Sequence, residues 1–234
     1  MARSRIEPPK RQGLTEPSLD DLLASIRACT LCRDNPLGPP LPVTPRPVLQ
    51  LDPRARILVA GQAPGTRVHA SGQPFTDPSG IRLREWMGIN ETVFYNPACI
   101  AVVPMGFCFP GQDAKGGDLP PRRECALKWH NRLFTAFQKP DLTLAVGLHA
   151  VRYHIALRGH PDLNGPALGP MVENWRAILD ATDVMPMPHP SWRNNHWLKK
   201  NPWFGLELLP ELRRRVALIL KKQGREVHKG GAAV

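Results

Sequence analysis

The stretch HPSWRNNHWLKKNPWF, residues 189–204, holds three tryptophans, a phenylalanine, two histidines, three asparagines and three basic side chains. A core segment would not carry so much charge and amide, and an ordinary solvated loop would not carry so many large aromatic faces. Flat rings stack on bases, cations neutralise phosphates, and asparagines bond phosphates or base edges, so the stretch reads as a nucleic-acid contact loop. Its candidate contacts are Ser191, Trp192, Arg193, Asn194, Trp197 and Lys199. His189 stands between Pro188 and Pro190 and is rigidly displayed. A lone histidine is more often structural, but these neighbours favour a site.

Two glycine-rich stretches could meet the same ligand. In GQAPG, Gly61 and Gly65 allow close backbone approach and Pro64 stiffens the turn between them. No G-K-[ST] or G-x-G-x-x-G pattern is present, so this is not a phosphate-binding loop. In GQPFTDPSG, Phe75 is a loop aromatic that can stack on a planar ligand or simply pack. Asp77 is a candidate at the site, although capping the following helix is the commoner role for an aspartate there. The cysteines add a third signal. Cys29 and Cys32 form CTLC, Cys108 and Cys125 enclose sixteen residues, and Cys99 is left over. In a reducing compartment a C-x2-C pair with two distant cysteines suggests a four-thiolate site for zinc or an iron–sulfur cluster, and spacing does not separate the two. Unpaired buried cysteines are the plainer alternative.

The elements that must position these residues follow from periodicity and punctuation. SLDDLLASIRAC reads as a helix with Ser18 as N-cap. RILVAG, the region VFYNPACIAVV broken at Asn96-Pro97, LTLAVG and DVMPMP read as short buried strands, and the first leads directly into GQAPG. SGIRLREWMGI, PPRRECALKWHNRLFTAF with proline in its first turn, LHAVRYHIAL, MVENWRAIL and FGLELLPELRRRVALILKK read as helical, the last with Pro210 in a first turn or at a kink. Alternating strand and helix predicts an α/β fold, a three-layer α/β/α sandwich around a mostly parallel four-stranded sheet. In such sheets the ligand crevice lies at the carboxyl ends of the strands, where GQAPG and HPSW both belong. Residues 1–17 are expected to be a disordered basic terminus, 18–222 one domain, and 223–234 a flexible tail.

Bulk properties agree. With 234 residues and 42% hydrophobic side chains the chain can bury a full core. A formal charge of +11 favours a polyanionic partner. No apolar run approaches the ~18 residues that a membrane span needs, and MARSRIEPPKRQG lacks the apolar stretch of a secretory signal. A cytoplasmic chain is expected, monomeric and not associated with membranes.

In order, CxxC, a strand ending in G-x-x-P-G, S-G-x-P-F, a strand region with Asn, C-x16-C holding C-x-P-G and ending in E-C, a further strand, and H-P-S together resemble the uracil-DNA glycosylase superfamily, closest to its four-cysteine, iron–sulfur-containing branches. The resemblance runs from about Cys29 to the last helix. It implies that Cys29, Cys32, Cys108 and Cys125 hold a structural [4Fe-4S] cluster. It implies that the loop Gly61, Gln62, Ala63 to Gly65 holds the hydrolytic water and touches uracil by backbone, that Phe75 stacks on the extruded base, and that Asn96 reads its edge. It further implies that His189 stabilises charge developing on the uracil O2 and that the residues from Ser191 onward enter the minor groove. Many members carry Asp or Glu in the first motif; here Gln62 and Ala63 stand there, and an amide cannot take up a proton at neutral pH. Asp77 and His69 are substitute candidates for activating the water.

The function expected is a monofunctional DNA glycosylase that hydrolyses the N-glycosidic bond of deoxyuridine, with other deaminated bases as an extension of its range, in single- or double-stranded DNA. One alternative is a non-catalytic or covalently trapping uracil-DNA-binding protein on the same fold. A second is a zinc-stapled nucleic-acid-binding module without glycosylase ancestry.

Overall fold

A computed structural model describes residues 18–137 and 139–230. The expected loose N-terminus, residues 1–17, lies outside them. Four strands, β1 (Ile57–Ala60), β2 (Ile100–Val102), β3 (Leu142–Val146) and β4 (Val184–Met187), form one sheet in the order β2-β1-β3-β4, and every pairing is parallel. All four are buried along their length, as their unbroken apolar runs require of strands covered on both faces. Ile57 and Val59 point to one face, which packs on the helix Pro78–Met87, on Trp175 and Leu179, and on the closing helix through Leu212 and Val216. Leu58 faces the other side, against the helix Leu19–Arg27 and the helical run through Trp129 and Leu133. This is the three-layer α/β/α sandwich anticipated above.

Local signals explain most boundaries. Ser18 accepts from the Asp21 amide and returns its hydroxyl to the Asp21 carboxylate at 2.7 Å, closing both ends of the first turn. Gly88, at φ 70°, ends the helix Pro78–Met87 in the left-handed conformation that glycine tolerates best. Three expectations need correction. Val93 and Phe94 belong to a helical turn, Glu91–Phe94, and the strand starts only at Ile100; Asn90 caps that turn by accepting from the Val93 amide, and apolar periodicity over so few residues cannot separate the two states. Prolines 120 and 121 precede the helix starting at Arg123 instead of lying in its first turn. Residues 223–230 continue the closing helix, Leu209–Gly230, where a loose tail was expected; the Gln223 amide donates to the carbonyls of Arg54 and Ala98 and holds that turn against the domain. Pro210 is accommodated as anticipated, in the first turn of that helix, just after a wide π-helical turn at Phe204–Leu208.

Two histidines are sealed into the helical layer. His130 and His154 are 0% and 1% exposed and pack among Phe134 and Tyr153. Burial pulls His130 down to about 4, and burial with the neighbouring His130 and Arg158 charges pulls His154 down to about 3. The unfolded chain protonates near pH 6.5, so below that it binds protons the native state refuses. The stability present above pH 6.5 is therefore expected to decline as pH falls towards about 4. Urea denaturation across that window checks this: His154→Leu should flatten the decline, and a wild-type midpoint that does not move would exclude buried neutral histidines as its source.

Candidate active site and nucleic-acid interface

The carboxyl ends of β1, β2 and β4 deliver Gly61–Gly65, Val103-Pro104 and Pro188-His189 to one edge of the sheet. There a cavity is lined by Gly61, Gln62, Ala63, Phe75, Asp77, Ser79, Val102, Pro104, Asp118 and His189. It opens onto a wider cleft bordered by Arg67, Arg82, Trp192 and Arg193.

Phe75 is buried, and its ring lies along Gly61, where a β-carbon would stand 3.5 Å from the ring edge. The ring meets Phe94 edge-on at 6.0 Å. Its backbone is at φ 54°, a conformation that costs a bulky residue free energy and persists only when the surroundings impose it. They do so through its carbonyl, which accepts from the Tyr95 hydroxyl at 3.1 Å and from Arg84 Nη1 at 3.3 Å. Gly80 lies so close that a β-carbon there would fall 1.8 Å from that oxygen.

Asp77 caps the following helix. Its Oδ1 accepts from the Ser79 hydroxyl at 2.6 Å and the Gly80 amide at 3.2 Å, while the residue also faces the cavity. Gln62 lies over Gly147, a glycine at φ 89° where a β-carbon would come within 2.9 Å of the amide carbon. Burial lowers the His189 pKa below its usual 6.5, against the opposing pull of the Asp77 and Asp118 carboxylates. The imidazole is therefore neutral at pH 7 and presents one N–H donor. Asp118 was not anticipated from the sequence. It comes from a hairpin in the segment between Cys108 and Cys125, and its only sequence signal is an acidic residue in the glycine- and proline-rich stretch KGGDLPP.

The contact loop divides its aromatics. Trp192 is 73% exposed, with the Arg193 guanidinium 5.8 Å from its ring centre. Arg193 and Lys199 are exposed, and Ser191 is half-buried, its carbonyl accepting from Arg82. Trp197 is a correction: it packs edge-on against Trp203 and Phe204 at 5.9 and 5.8 Å, beside the core, so its ring is committed to packing. Asn194 donates its amide to the His189 carbonyl at 2.7 Å, which holds the turn that displays the imidazole.

Asn96 is also a correction. It precedes β2, at the amino end of a parallel sheet whose cavity lies at the carboxyl end, and it is exposed, its side-chain oxygen accepting from the Ala98 amide. The corresponding carboxyl-end positions are apolar, Val102 and Pro104, and Gln62 is the one side-chain amide among the described residues lining the inner cavity. His69, the other substitute considered, stacks at 5.9 Å on Phe109 and does not line the cavity.

The four cysteines of interest are free thiols within electrostatic reach of one another. Cys32 is hydrogen-bonded to Cys125 and held down to about 7, chiefly by that bond; burial pushes Cys108 up to about 12, with Cys32 and Cys29 within electrostatic reach. Cys29 Sγ accepts from Trp129 Nε1 at 3.3 Å and Cys125 Sγ from the Phe107 amide at 3.4 Å. N–H donors aimed at sulfur suit thiolates, so the donor set fits a thiolate-bound metal or cluster. Among the described residues no three His, Cys, Asp or Glu side chains stand in ligating geometry. Cys99 lies apart, packed beside the sheet core.

The family model described as the uracil DNA glycosylase superfamily matches residues 49–213, well over half of the chain. The match spans the sheet, the cavity and the contact loop, and it removes the reading of a binding module unrelated to glycosylases.

Tyr95→Phe is expected to cost about 1 kcal/mol, the usual net worth of one hydrogen bond. It would appear as a lower urea midpoint at unchanged slope; an unmoved midpoint would take Tyr95 out of the clamp on Phe75.

Proposed function

The chain belongs to the uracil DNA glycosylase superfamily, and from that premise we propose that it hydrolyses the N-glycosidic bond of deoxyuridine in DNA as a monofunctional glycosylase. One observation carries the reading. The Phe75 ring, the His189 imidazole and the Gly61–Gly65 backbone line a single cavity that opens onto a cleft bordered by Trp192 and Arg193.

A base inside a duplex is out of reach, and extruding it costs a few kcal/mol. Trp192 fills or wedges the vacated stack, and Arg193 and Lys199 hold the displaced phosphates. The extruded base stacks on Phe75. His189, as a neutral donor, meets the negative charge that grows on the base carbonyl as the glycosidic bond breaks. Gln62 orients the attacking water without accepting its proton. With Asn96 away from the cavity, Gln62 and backbone groups remain to read the base edge, which favours a range that extends to other deaminated bases.

Cys29, Cys32, Cys108 and Cys125 would hold a [4Fe-4S] cluster, with zinc as the alternative. Its part is structural: it joins the N-terminal helix to the segment before the helix at Arg123. A broad visible absorption in the purified protein supports the cluster, and a colourless protein with stoichiometric zinc supports the alternative. The absence of a carboxylate at Gln62 and Ala63 favours one second reading, a protein of the same fold that binds or traps uracil-DNA without turning over.

Multiple-turnover excision from end-labelled oligonucleotides holding one deoxyuridine separates the two, because product in excess of protein excludes the binding reading. His189→Ala should lower excision on the order of hundred-fold, as removing one oxyanion donor does; full activity would end that role. Removing the Arg193 or Lys199 charge should reduce the slope of log affinity against log salt by about one each, nearly independently of sequence. An unchanged slope would place that side chain off the phosphates.

A further inference from the structure

The reaction proposed above needs a proton acceptor for the attacking water, and the first-motif loop carries none. The acceptor can be sought where the inner cavity and the outer cleft meet. A base held in the cavity with its strand in the cleft puts the glycosidic bond at that junction. Six residues line both spaces: Gln62, Gly65, Asp77, Ser79, Asp118 and His189. Two are carboxylates.

Asp77 is committed to the architecture. The oxygen that accepts from Ser79 and Gly80 starts the helix whose first residues press on the Phe75 carbonyl. Asp118 is held differently. Gln112 Nε2 donates to its Oδ1 at 3.1 Å, while its Oδ2 stands 3.3 Å from where a β-carbon on Gly65 would lie. The second oxygen is thus turned onto the backbone of the first-motif loop, and glycine at position 65 leaves room for it. The hairpin that carries Asp118 is built for fixed placement. Leu119 N donates to the Gly111 carbonyl at 2.9 Å, and Asp113 Oδ1 accepts from the amides of Lys115 and Gly117, each at 2.8 Å. Gly116, at φ 73°, turns the tip, and its carbonyl accepts from Arg193 Nη2 at 3.3 Å. The hairpin and the contact loop therefore touch across the cleft.

We propose that Asp118 is a catalytic residue of this site: the carboxylate that accepts the proton of the hydrolytic water, supplied by the hairpin between Cys108 and Cys125 in place of a first-motif carboxylate. The assignment rests on the glycosylase reading. The C1′–N bond breaks with its electron pair leaving on the base, whose oxygen faces His189. The water oxygen bonds to C1′ and its proton passes to Asp118 Oδ2, and the released base anion is protonated from solvent. The Asp118 charge also faces the cationic sugar as it forms. The other titratable and charged groups around it are Asp77 and the neutral His189 across the cavity and Arg67, Arg82 and Arg193 along the cleft.

Single-turnover excision of uracil from a deoxyuridine oligonucleotide, with protein in excess and across pH, tests the assignment. Asp118→Asn keeps the shape and removes the base. The expected result is a rate lowered about hundred-fold or more, loss of the acidic limb of the pH–rate profile, and DNA affinity equal to or tighter than wild type, since one negative charge leaves a DNA-facing cleft. Asp118→Glu should restore part of the rate. A rate within a few-fold of wild type, or an acidic limb that survives in Asp118→Asn and disappears in Asp77→Asn, overturns the assignment and leaves the glycosylase reading standing. A rate loss matched by an equal loss of DNA affinity or of thermal stability also overturns it, because the role would then be structural. If wild-type protein binds the oligonucleotide but releases no uracil, the glycosylase reading fails and the assignment fails with it.

Discussion

Every feature of the candidate site depends on one constraint, the uniform direction of the four strands. Parallel pairing of β2, β1, β3 and β4 sends every chain exit to the same edge of the sheet, and the crossings between strands must pass over its faces. Loops far apart in sequence, after Ala60, after Val102 and after Met187, therefore meet, and the first two are tied where the Met105 and Gly106 amides donate to the Gly61 and Gln62 carbonyls at 2.9 and 2.8 Å. The strands are short and wholly buried, so register is fixed by apolar packing on both faces, and a slip of one residue in β1 or β4 would shift Gly61 or His189 relative to the other. The same constraint places Asn96 away from the chemistry. A residue ahead of a parallel strand is on the far edge whatever its side chain could do.

Upon that frame the site is held by strain and by opposed charge. Phe75 keeps a costly backbone angle because Tyr95, Arg84 and Gly80 leave its carbonyl no other place, and the benefit is a ring pre-set along Gly61. His189 sits between two influences: burial disfavours its proton, and the carboxylates of Asp77 and Asp118 favour it. Burial prevails, so the donor is neutral, with two carboxylates beside it in the cavity. Outside the cavity the sign reverses, with Arg67, Arg82 and Arg193 along the cleft. On the proposed glycosylase reading, the positive rim meets the polyanion and the negative interior meets the cation formed in the reaction. A separation of this kind needs the two sets of charges on different segments, and it explains how a chain of +11 can present acidic groups at its centre.

The sequence revealed what is local. Apolar runs marked the strands, Ser18 and Gly88 marked helix ends, and GQAPG and HPSW announced loops at the crevice, because each depends on neighbours within a few residues. Less legible were properties set by tertiary contact. Trp192 and Trp197 lie five residues apart in the same stretch; only the placement of Trp203 and Phe204 decides that one ring joins the core and the other faces solvent. Asn194 could have bonded a phosphate, but the His189 carbonyl lies nearer. Asp118 was hidden for a related reason. Its meaning comes from Gly65, more than fifty residues earlier, and no local pattern encodes that approach.

On the assignment proposed for Asp118, the hairpin from Gly111 to Leu119 supplies the group that the first motif lacks. Its ends are joined by the Leu119 amide donating to the Gly111 carbonyl, its turn is braced by Asp113, and its tip is joined to the contact loop through Arg193. A carboxylate carried on such a segment is placed by contacts remote in sequence, whereas one in the first-motif loop would be fixed to β1. The Arg193 bond makes that placement depend also on the stretch that follows His189. The guanidinium carries five N–H donors, so Arg193 can hold the Gly116 carbonyl and still offer N–H groups to a phosphate. The hairpin tip and the contact loop are thereby joined through one guanidinium.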